Sequence, residues 1–531
     1  MSFPGYAWIP ALGLALAIMA TPALAQDQPA DEVRFDVWEF QVSGNTVLEN
    51  TDIERTVYRH LGPSRSIADV EAARKDLEAL YRDAGFGTVV VTIPEQDVEA
   101  GMVRLEVLEG RVDRLMVSGA RWFSPERIKR ATPSLQEGEV PYLPEVQAEV
   151  TQLNAVSRDR RITPVLRPGR TPGAVEVDLK VDDKPPVHGS IEVNDRFTRD
   201  TTRTRLNASL SYDNLWQRQH SLTLGYQVAP EDPDDVTVFF GTYLARLASS
   251  PWLISGFYID SDSDIVSVGT LGVIGTGQLA GLRFIRPLPS FAGGFQTATF
   301  GIDLKDFEET VRLEGNQPAI ETPIKYGTVS ASYDLTFLSD TGKATRLSTT
   351  AVFGTRLLGN DPLEFASKRF GASSSFFYLG GSFQRDRELW WDSLLRITLA
   401  GQVATAPLIN NEQFAFGGVT SVRGYLESQQ FVDDGLSGQL ELMTPDWGAQ
   451  FWNNSSLRFL AFVDAGGGLL KEALPEQDDE FFLWSAGVGF RAALWRKLTA
   501  ALDWAYPFRD SSDGNVEAGE TRWHFNVRFA F

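Results

Sequence analysis

The sequence predicts an all-β membrane protein: a transmembrane barrel of about sixteen strands, preceded by two small α+β domains. Three observations predict it. Apolar and polar residues alternate through most of the chain from Val187 onward. A segment recurs, ungapped, 75 residues apart, Val42 against Val117. No internal stretch approaches the ~20 apolar residues that a spanning helix needs.

Bulk composition agrees. Hydrophobic residues make up 43 % and charged residues 22 %, which fits neither a disordered chain nor a helical membrane protein. Mean hydropathy is -0.16, a value a barrel allows because only half of each strand faces lipid. Length suggests several domains, at roughly 100–200 residues each.

The first element is an export signal over residues 1–25. An apolar core, Ala11 to Ala20, leads to the small-x-small site Ala23-Leu24-Ala25, so the mature chain is expected to begin near Gln26. No Lys or Arg precedes that core. Cysteine is absent, which removes disulfides and thiol chemistry from an exported chain. The four histidines, His60, His188, His220 and His524, lack ligand spacing, so no zinc site is expected. A net charge of -21 makes nucleic acid a poor partner.

The repeat comes next. "VSGNTVLENTDI" from Val42 matches "VSGARWFSPERI" from Val117, with Leu48 against Phe123 and Ile53 against Ile128. Each copy reads as strand, helix, helix, strand, strand, over residues 33–110 and 111–184. In the first, Asn50 or Thr51 is the expected cap of a helix over Ile53 to Leu61. Ser66 is the expected cap of a second helix. There Ile67, Val70, Ala73, Leu77, Leu80, Tyr81 and Ala84 share one face, and Gly85 stops it. "TVVVTIP" and "MVRLEVLEG" complete the copy as strands, and "GAVEVDLKVDD" closes the second. "DDKPP", Asp182 to Pro186, reads as a short stiff linker.

From Val187 helical patterns vanish. "TRLNASLSYDN" places Leu206, Ala208, Leu210 and Tyr212 on one face. "HSLTLGYQVA" and "KLTAALDWAY" repeat the pattern. This is the two-residue period of a strand with lipid on one side and a wet lumen on the other. Residues 187–531 number 531 − 187 + 1 = 345. At roughly 20–22 residues per strand with its connection, built on 9–11 spanning residues, they make about sixteen strands. The last segment, "RWHFNVRFAF", alternates to Phe531, with Phe529 and Phe531 among its aromatics. It is expected to close the barrel, because an unpaired strand edge in lipid costs several kcal/mol per group.

A barrel this wide leaves an aqueous hole unless something fills it. The candidate is the Gly-rich stretch Phe414 to Gly435, which carries Val422-Arg423-Gly424-Tyr425. An enclosed guanidinium seeks a carboxylate. Downstream, "RFLAFVDAGGG" alternates so that Asp464 lies opposite Leu457, Phe459, Ala461 and Val463, and thus faces the lumen. Arg423 is expected to pair with Asp464 and latch an inward-folded loop.

These motifs resemble those of polypeptide-transport barrels. Val422-Arg423-Gly424-Tyr425 is similar to the tip of their sixth extracellular loop, and "FVDAG", with Phe462, Asp464 and Gly466, to their F-x-D-x-G strand. The repeats resemble POTRA domains. "LYRDAGFGTVVVTIPEQDVEAGMVRLEVLEGRV" is similar to the first POTRA domain of two-partner secretion transporters of the ShlB/FhaC/HecB type, and "DNLWQRQHSLTLGYQ" to their early strands. The resemblance implies two periplasmic POTRA domains and a sixteen-stranded outer-membrane barrel. A secreted partner protein would leave through the pore unfolded. It also implies contact with outer-membrane lipid and with the barrel assembly machinery, for which Phe529 and Phe531 would form the terminal signal. It also makes Glu441, in "GQLELM", a weaker second acceptor for Arg423. Nothing in the chain points to a cofactor, a metal or an enzymatic reaction. Many members carry an N-terminal plug helix. Here only Gln26 to about Val33 precede the first strand, so either loop six is expected to take over more of the plugging or the resting pore is expected to be leakier. Barrel-assembly factors of the same superfamily, and passive porins, are the alternatives. "DTGKAT" from Asp340 lacks the rest of a phosphate loop.

Overall fold

The computed structural model describes residues 33–531 apart from 99, 200, 248–249, 264, 269–270, 275, 292, 309, 312–319, 340, 452 and 476. The expected signal peptide and the stretch from Gln26 to residue 32 lie outside the described residues. Two compact units divide the chain. One takes the chain up to Ser118 with Lys129–Thr151 and Thr163–Lys180. The other holds Gly119–Ile128, Gln152–Ile162 and Val181–Phe531.

In the first unit, strand Glu39–Ser43 runs parallel to Met102–Leu108, which pairs antiparallel with Val90–Thr92. Helix α1 (Asn50–Tyr58) starts three residues before the expected Ile53. Neither Asn50 nor Thr51 caps it: Glu49 holds the cap position without a side-chain bond, and the Asn50 side chain instead accepts from Asn45 Nδ2 at 2.7 Å. Helix α2 (Ile67–Asp83) opens on a reciprocal capping box of Ser66 and Asp69. It ends before Gly85, whose φ of +97° suits a residue without Cβ. Val70, Ala73, Leu77 and Tyr81 are buried, whereas Ile67, in the first turn, is exposed.

The second repeat has the same strand order. Arg111–Ser118 lies parallel to Ala174–Asp183, with Arg160–Pro168 beyond it. The expected linker is shorter than read. Asp182 and Asp183 belong to the strand. The Asp183 carboxylate accepts the amides of Arg121, Trp122 and Phe123 at 2.8–3.1 Å, which gives it a structural duty. Only Lys184–Pro186 remain free of strand.

The second unit is dominated by a closed antiparallel barrel of sixteen strands. They are β1 (Val187–Asn194), β2 (Arg205–Leu215), β3 (His220–Val228), β4 (Thr237–Arg246), β5 (Leu253–Asp262), β6 (Thr276–Pro287), β7 (Gly294–Glu308) and β8 (Ile324–Leu338). Then come β9 (Ala344–Gly354), β10 (Phe376–Glu388), β11 (Leu394–Ala404), β12 (Asp434–Met443), β13 (Ser456–Leu469), β14 (Glu480–Leu494), β15 (Leu498–Pro507) and β16 (Arg522–Ala530). Each pairs with its sequence neighbours, and β16 returns to β1 from Asn526 opposite Asn194 to Ala530 opposite Ser190. Phe531 continues that ladder by exchanging two backbone bonds with Gly189 at 3.0 and 3.1 Å. Its ring occupies the space where a Gly189 Cβ would stand, 2.3 Å away.

Alternate connections differ in length. The turn between β2 and β3 spans 216–219 and that between β14 and β15 spans 495–497, while the loop between β11 and β12 spans 405–433. Exposed Trp216, Trp391 and Trp495 sit in the short turns, as expected of an interfacial aromatic girdle. Apolar residues of the outward face, such as Phe459 and Val463 on β13, are exposed. Their inward neighbours Leu460, Phe462 and Asp464 are buried. No helix among the described residues is long and apolar enough to cross a membrane.

Candidate functional site: loop six inside the barrel

Loop six, residues 405–433, folds back as a small hairpin, Phe414–Phe416 against Gln430–Val432. Gly417 and Gly418 turn the chain at φ of +115° and +88°, with no room for a Cβ: one on Gly417 would lie 2.7 Å from the Leu426 carbonyl oxygen. The tip is held by its own apolar residues. Val422 and Tyr425 are buried against Phe416, Val432, Leu483 and Val516. The Tyr425 hydroxyl donates to the carbonyls of Arg509 and Trp484 at 2.9 and 3.2 Å.

Arg423 projects from this tip and is 1 % exposed. Its Nε donates to Asp464 Oδ2 at 2.6 Å and a terminal nitrogen to Oδ1 at 2.8 Å. Its amide adds a third bond to Oδ2 at 3.1 Å. The other terminal nitrogen reaches Glu441 Oε1 at 2.7 Å and lies 3.6 Å from Asp503 Oδ2. The guanidinium also stacks 3.5 Å from the Phe462 ring centroid, a favourable cation–π placement. Thus Arg423, Asp464, Glu441 and Phe462 converge. Gly466 leaves space for the tip, since a Cβ there would lie 2.8 Å from Phe416 and 3.0 Å from Val422.

The charges extend beyond the residues that periodicity reveals. Arg491 donates to both Asp503 oxygens at 2.6 and 2.8 Å and lies 3.6 Å from Glu441. Arg396 pairs with Asp386 at 2.7 and 3.0 Å. Three guanidiniums therefore face four carboxylates across β10–β15. Buried charges persist when each has such partners.

A second knot ties the root of loop six to the opposite wall. Glu412, 3 % exposed, accepts Lys305 Nζ at 2.5 Å, Tyr326 Oη at 2.6 Å and Tyr378 Oη at 2.9 Å. Beside it lies helix α3 (Pro362–Lys368) in the loop between β9 and β10. Asp361 caps this helix by accepting the Leu363 amide at 2.8 Å, and Pro362 opens it. Phe365 from α3 packs on Tyr326 and Phe376. Leu408 and Ile409 of loop six join the same buried cluster. Arg369 closes the set with a two-point pair to Asp433 at 2.6 and 2.8 Å.

The loop motif pointed to Arg423, strand alternation to Asp464 and the family resemblance to Glu441. All three missed Asp503, Arg491, Arg396, Asp386 and the Glu412 knot. Asp503 stands on the inward face of "KLTAALDWAY", so alternation was a usable signal there. Glu412 stands in a loop and carries none. Phe529 and Phe531 lie on the outward side of the closing strand, exposed and 6.2 Å apart between ring centroids.

The geometry defines a class: a closed membrane barrel of sixteen strands with a sixth loop folded inward, preceded in the chain by small α+β folds. Two family profiles narrow the class. "POTRA domain, ShlB-type" matches residues 35–110, and "Haemolysin secretion/activation protein ShlB/FhaC/HecB" matches residues 322–492. Over these residues the chain matches two-partner secretion transporters of that family. The outer membrane transporter CdiB of Dickeya dadantii is 23 % identical over 514 residues, covering 89 % of this chain and 83 % of that protein. Among solved structures, CdiB from Escherichia coli aligns with a TM-score of 0.58 at 19 % identity, over 97 % of this chain and 93 % of that one. BamA from Haemophilus ducreyi lacking POTRA domains 1-3 also reaches 0.58, at 14 % identity, over 94 % of this chain and all (100 %) of that chain. At these identities the structural matches speak for the fold.

Proposed function

We propose that this transporter captures one secreted partner protein with its periplasmic domains and passes it, unfolded, through the barrel as loop six gives way. The observation that carries the reading is the buried Arg423–Asp464 pair, which fastens a displaceable plug inside a lumen wide enough for an extended chain. Arg423, with Val422, Gly424 and Tyr425, is the latch. Asp464, with Phe462 and Gly466, is its wall partner, and Glu441 is the second acceptor. The second repeat, residues 111–184, acts as a second POTRA domain. Its sheet edge, like that of the first, offers backbone groups to an extended segment of the passenger. Residues 1–25 serve as the export signal. The barrel assembly machinery inserts residues 187–531 into outer-membrane lipid and reads Phe529 and Phe531. The passenger's own folding outside drives transport, so no nucleotide is needed.

Deletion of the coding sequence tests this. One secreted protein should disappear from the culture medium while other outer-membrane barrels keep their levels. Depletion of many barrels would instead mark an assembly factor, and slowed small-solute uptake alone a porin.

A further inference from the structure

The closing seam between β1 and β16 ends early. Above the pair Asn526–Asn194 one backbone bond remains, from the Asp195 amide to the Phe525 carbonyl at 3.3 Å, and the Asp195 side chain replaces its partner. Asp195 Oδ1 accepts the Phe525 amide at 2.7 Å. Its other oxygen, Oδ2, is buried and has no hydrogen bond. It lies 3.3 Å from Nδ1 of His524 on β16. The opposite ring nitrogen of His524, Nε2, accepts the amide of Gly424 at 2.9 Å. Gly424 directly follows the latch arginine, and its φ of +93° turns that amide toward the wall.

We infer that His524 is a positioning residue for loop six: its Nε2 lone pair holds the loop tip to the last barrel strand, and Asp195 keeps the proton on Nδ1. A nitrogen that accepts from an amide carries no proton, so in the neutral ring the proton sits on the other nitrogen. That nitrogen faces the one Asp195 oxygen left without a hydrogen bond. Orientation of an imidazole by a carboxylate on its far side is a general device for fixing tautomer. The tip touches the other side of the seam too: the Glu427 amide donates to the Phe197 carbonyl at 3.1 Å, just past β1. Loop six therefore bridges both strands where they cease to pair. Across the β15–β16 ladder His524 stands opposite Asp503, itself 3.6 Å from Arg423, so clasp and latch share one charged neighbourhood. Four histidines scattered in sequence gave no hint of this role.

The inference refines the reading of loop six as a latch, and its failure looks different. Normal export from Arg423→Ala would defeat the latch; the labelling below tests the clasp alone. The chain has no cysteine, so Ser421→Cys places a single thiol beside the tip, at a buried position. A membrane-impermeant maleimide added to intact cells labels it only when the tip leaves its seat. On this background His524→Ala should raise the labelling rate roughly three- to tenfold, the worth of one net hydrogen bond. His524→Gln, which can present an amide oxygen near the Nε2 position, should return it to within about twofold of the parent. Asp195→Asn should match His524→Ala, because an amide facing Nδ1 frees the tautomer. Heat-modifiable migration reports that each barrel is folded. Parental labelling in a folded His524→Ala barrel would overturn the assignment. So would His524→Gln behaving as His524→Ala. If His524→Ala does not assemble, parental labelling in Asp195→Asn has the same force.

Discussion

Arg423 and Asp464 meet through two parallel bonds of 2.6 and 2.8 Å, with the two side chains 1 % and 0 % exposed. A two-point guanidinium–carboxylate contact fixes orientation as well as charge. Removing one partner leaves the other buried and uncompensated, at a cost of about 3–5 kcal/mol. Arg423→Ala should therefore leave a folded, heat-modifiable barrel and abolish export of the secreted partner. Asp464→Ala should do the same, and the double variant should be no worse than either single one. Export at the parental level from Arg423→Ala would remove the latch from the mechanism.

Gly466 offers a test that leaves every charge in place. A side chain there meets Phe416 and Val422 within 3.0 Å. Gly466→Val should push the tip from its seat while the β12–β13 ladder persists. External protease should then cut loop six severalfold faster, with barrel migration unchanged.

The Glu412 knot fastens the root of loop six to the wall. Glu412→Ala strands Lys305 beside Tyr326 and should free that root. In planar bilayers the variant should show larger and more frequent openings than the parent protein. Equal conductance records would place the closure elsewhere.

The periplasmic domain carries its own signature. Burial, aided by the Glu109 carboxylate, pushes the Tyr81 phenol up to about 12 from 10.0. An acid raised on folding is favoured in its neutral form. Its contribution is complete below pH 10 and is lost as pH climbs toward 12. Hydrogen exchange of helix α2 in the full-length protein should accelerate over that window, and Tyr81→Phe should remove the dependence.

Ser66 tests the local code of the same helix. Its hydroxyl accepts the Asp69 amide at 3.3 Å while Asp69 answers to the Ser66 amide at 2.8 Å. Ser66→Ala should weaken α2 by about 1 kcal/mol, read as faster exchange in its first turn.

Alternation made the barrel legible, because lipid and water impose a period of two on every strand. The duplicated Val-Ser-Gly segment exposed the repeat in the same way, and both copies have the strand order first, last, middle. Asp464 was legible for that reason, standing on an inward face near a conspicuous arginine, whereas Glu441 came from the family resemblance. Arg491 with Asp503 escaped notice because their pairing depends on how strands are staggered around a closed sheet. Helix α3 has 7 residues, too few for a helical period. The cap of α1 was misread because Asn50 spends its side chain on Asn45. The linker was misread because Asp182 and Asp183 resemble a polar break, although Asp183 anchors three amides.

The fastenings of loop six at Arg423, Glu412 and Asp433 are ionic, and this shapes how the bolt is drawn. A greasy stopper resists wetting and must be torn from its socket whole. Paired charges hold firmly only while dry, and each is worth under about 1 kcal/mol once solvent surrounds it. Moisture carried in with an advancing polypeptide would loosen these fastenings one after another, and they would grip again when the duct empties.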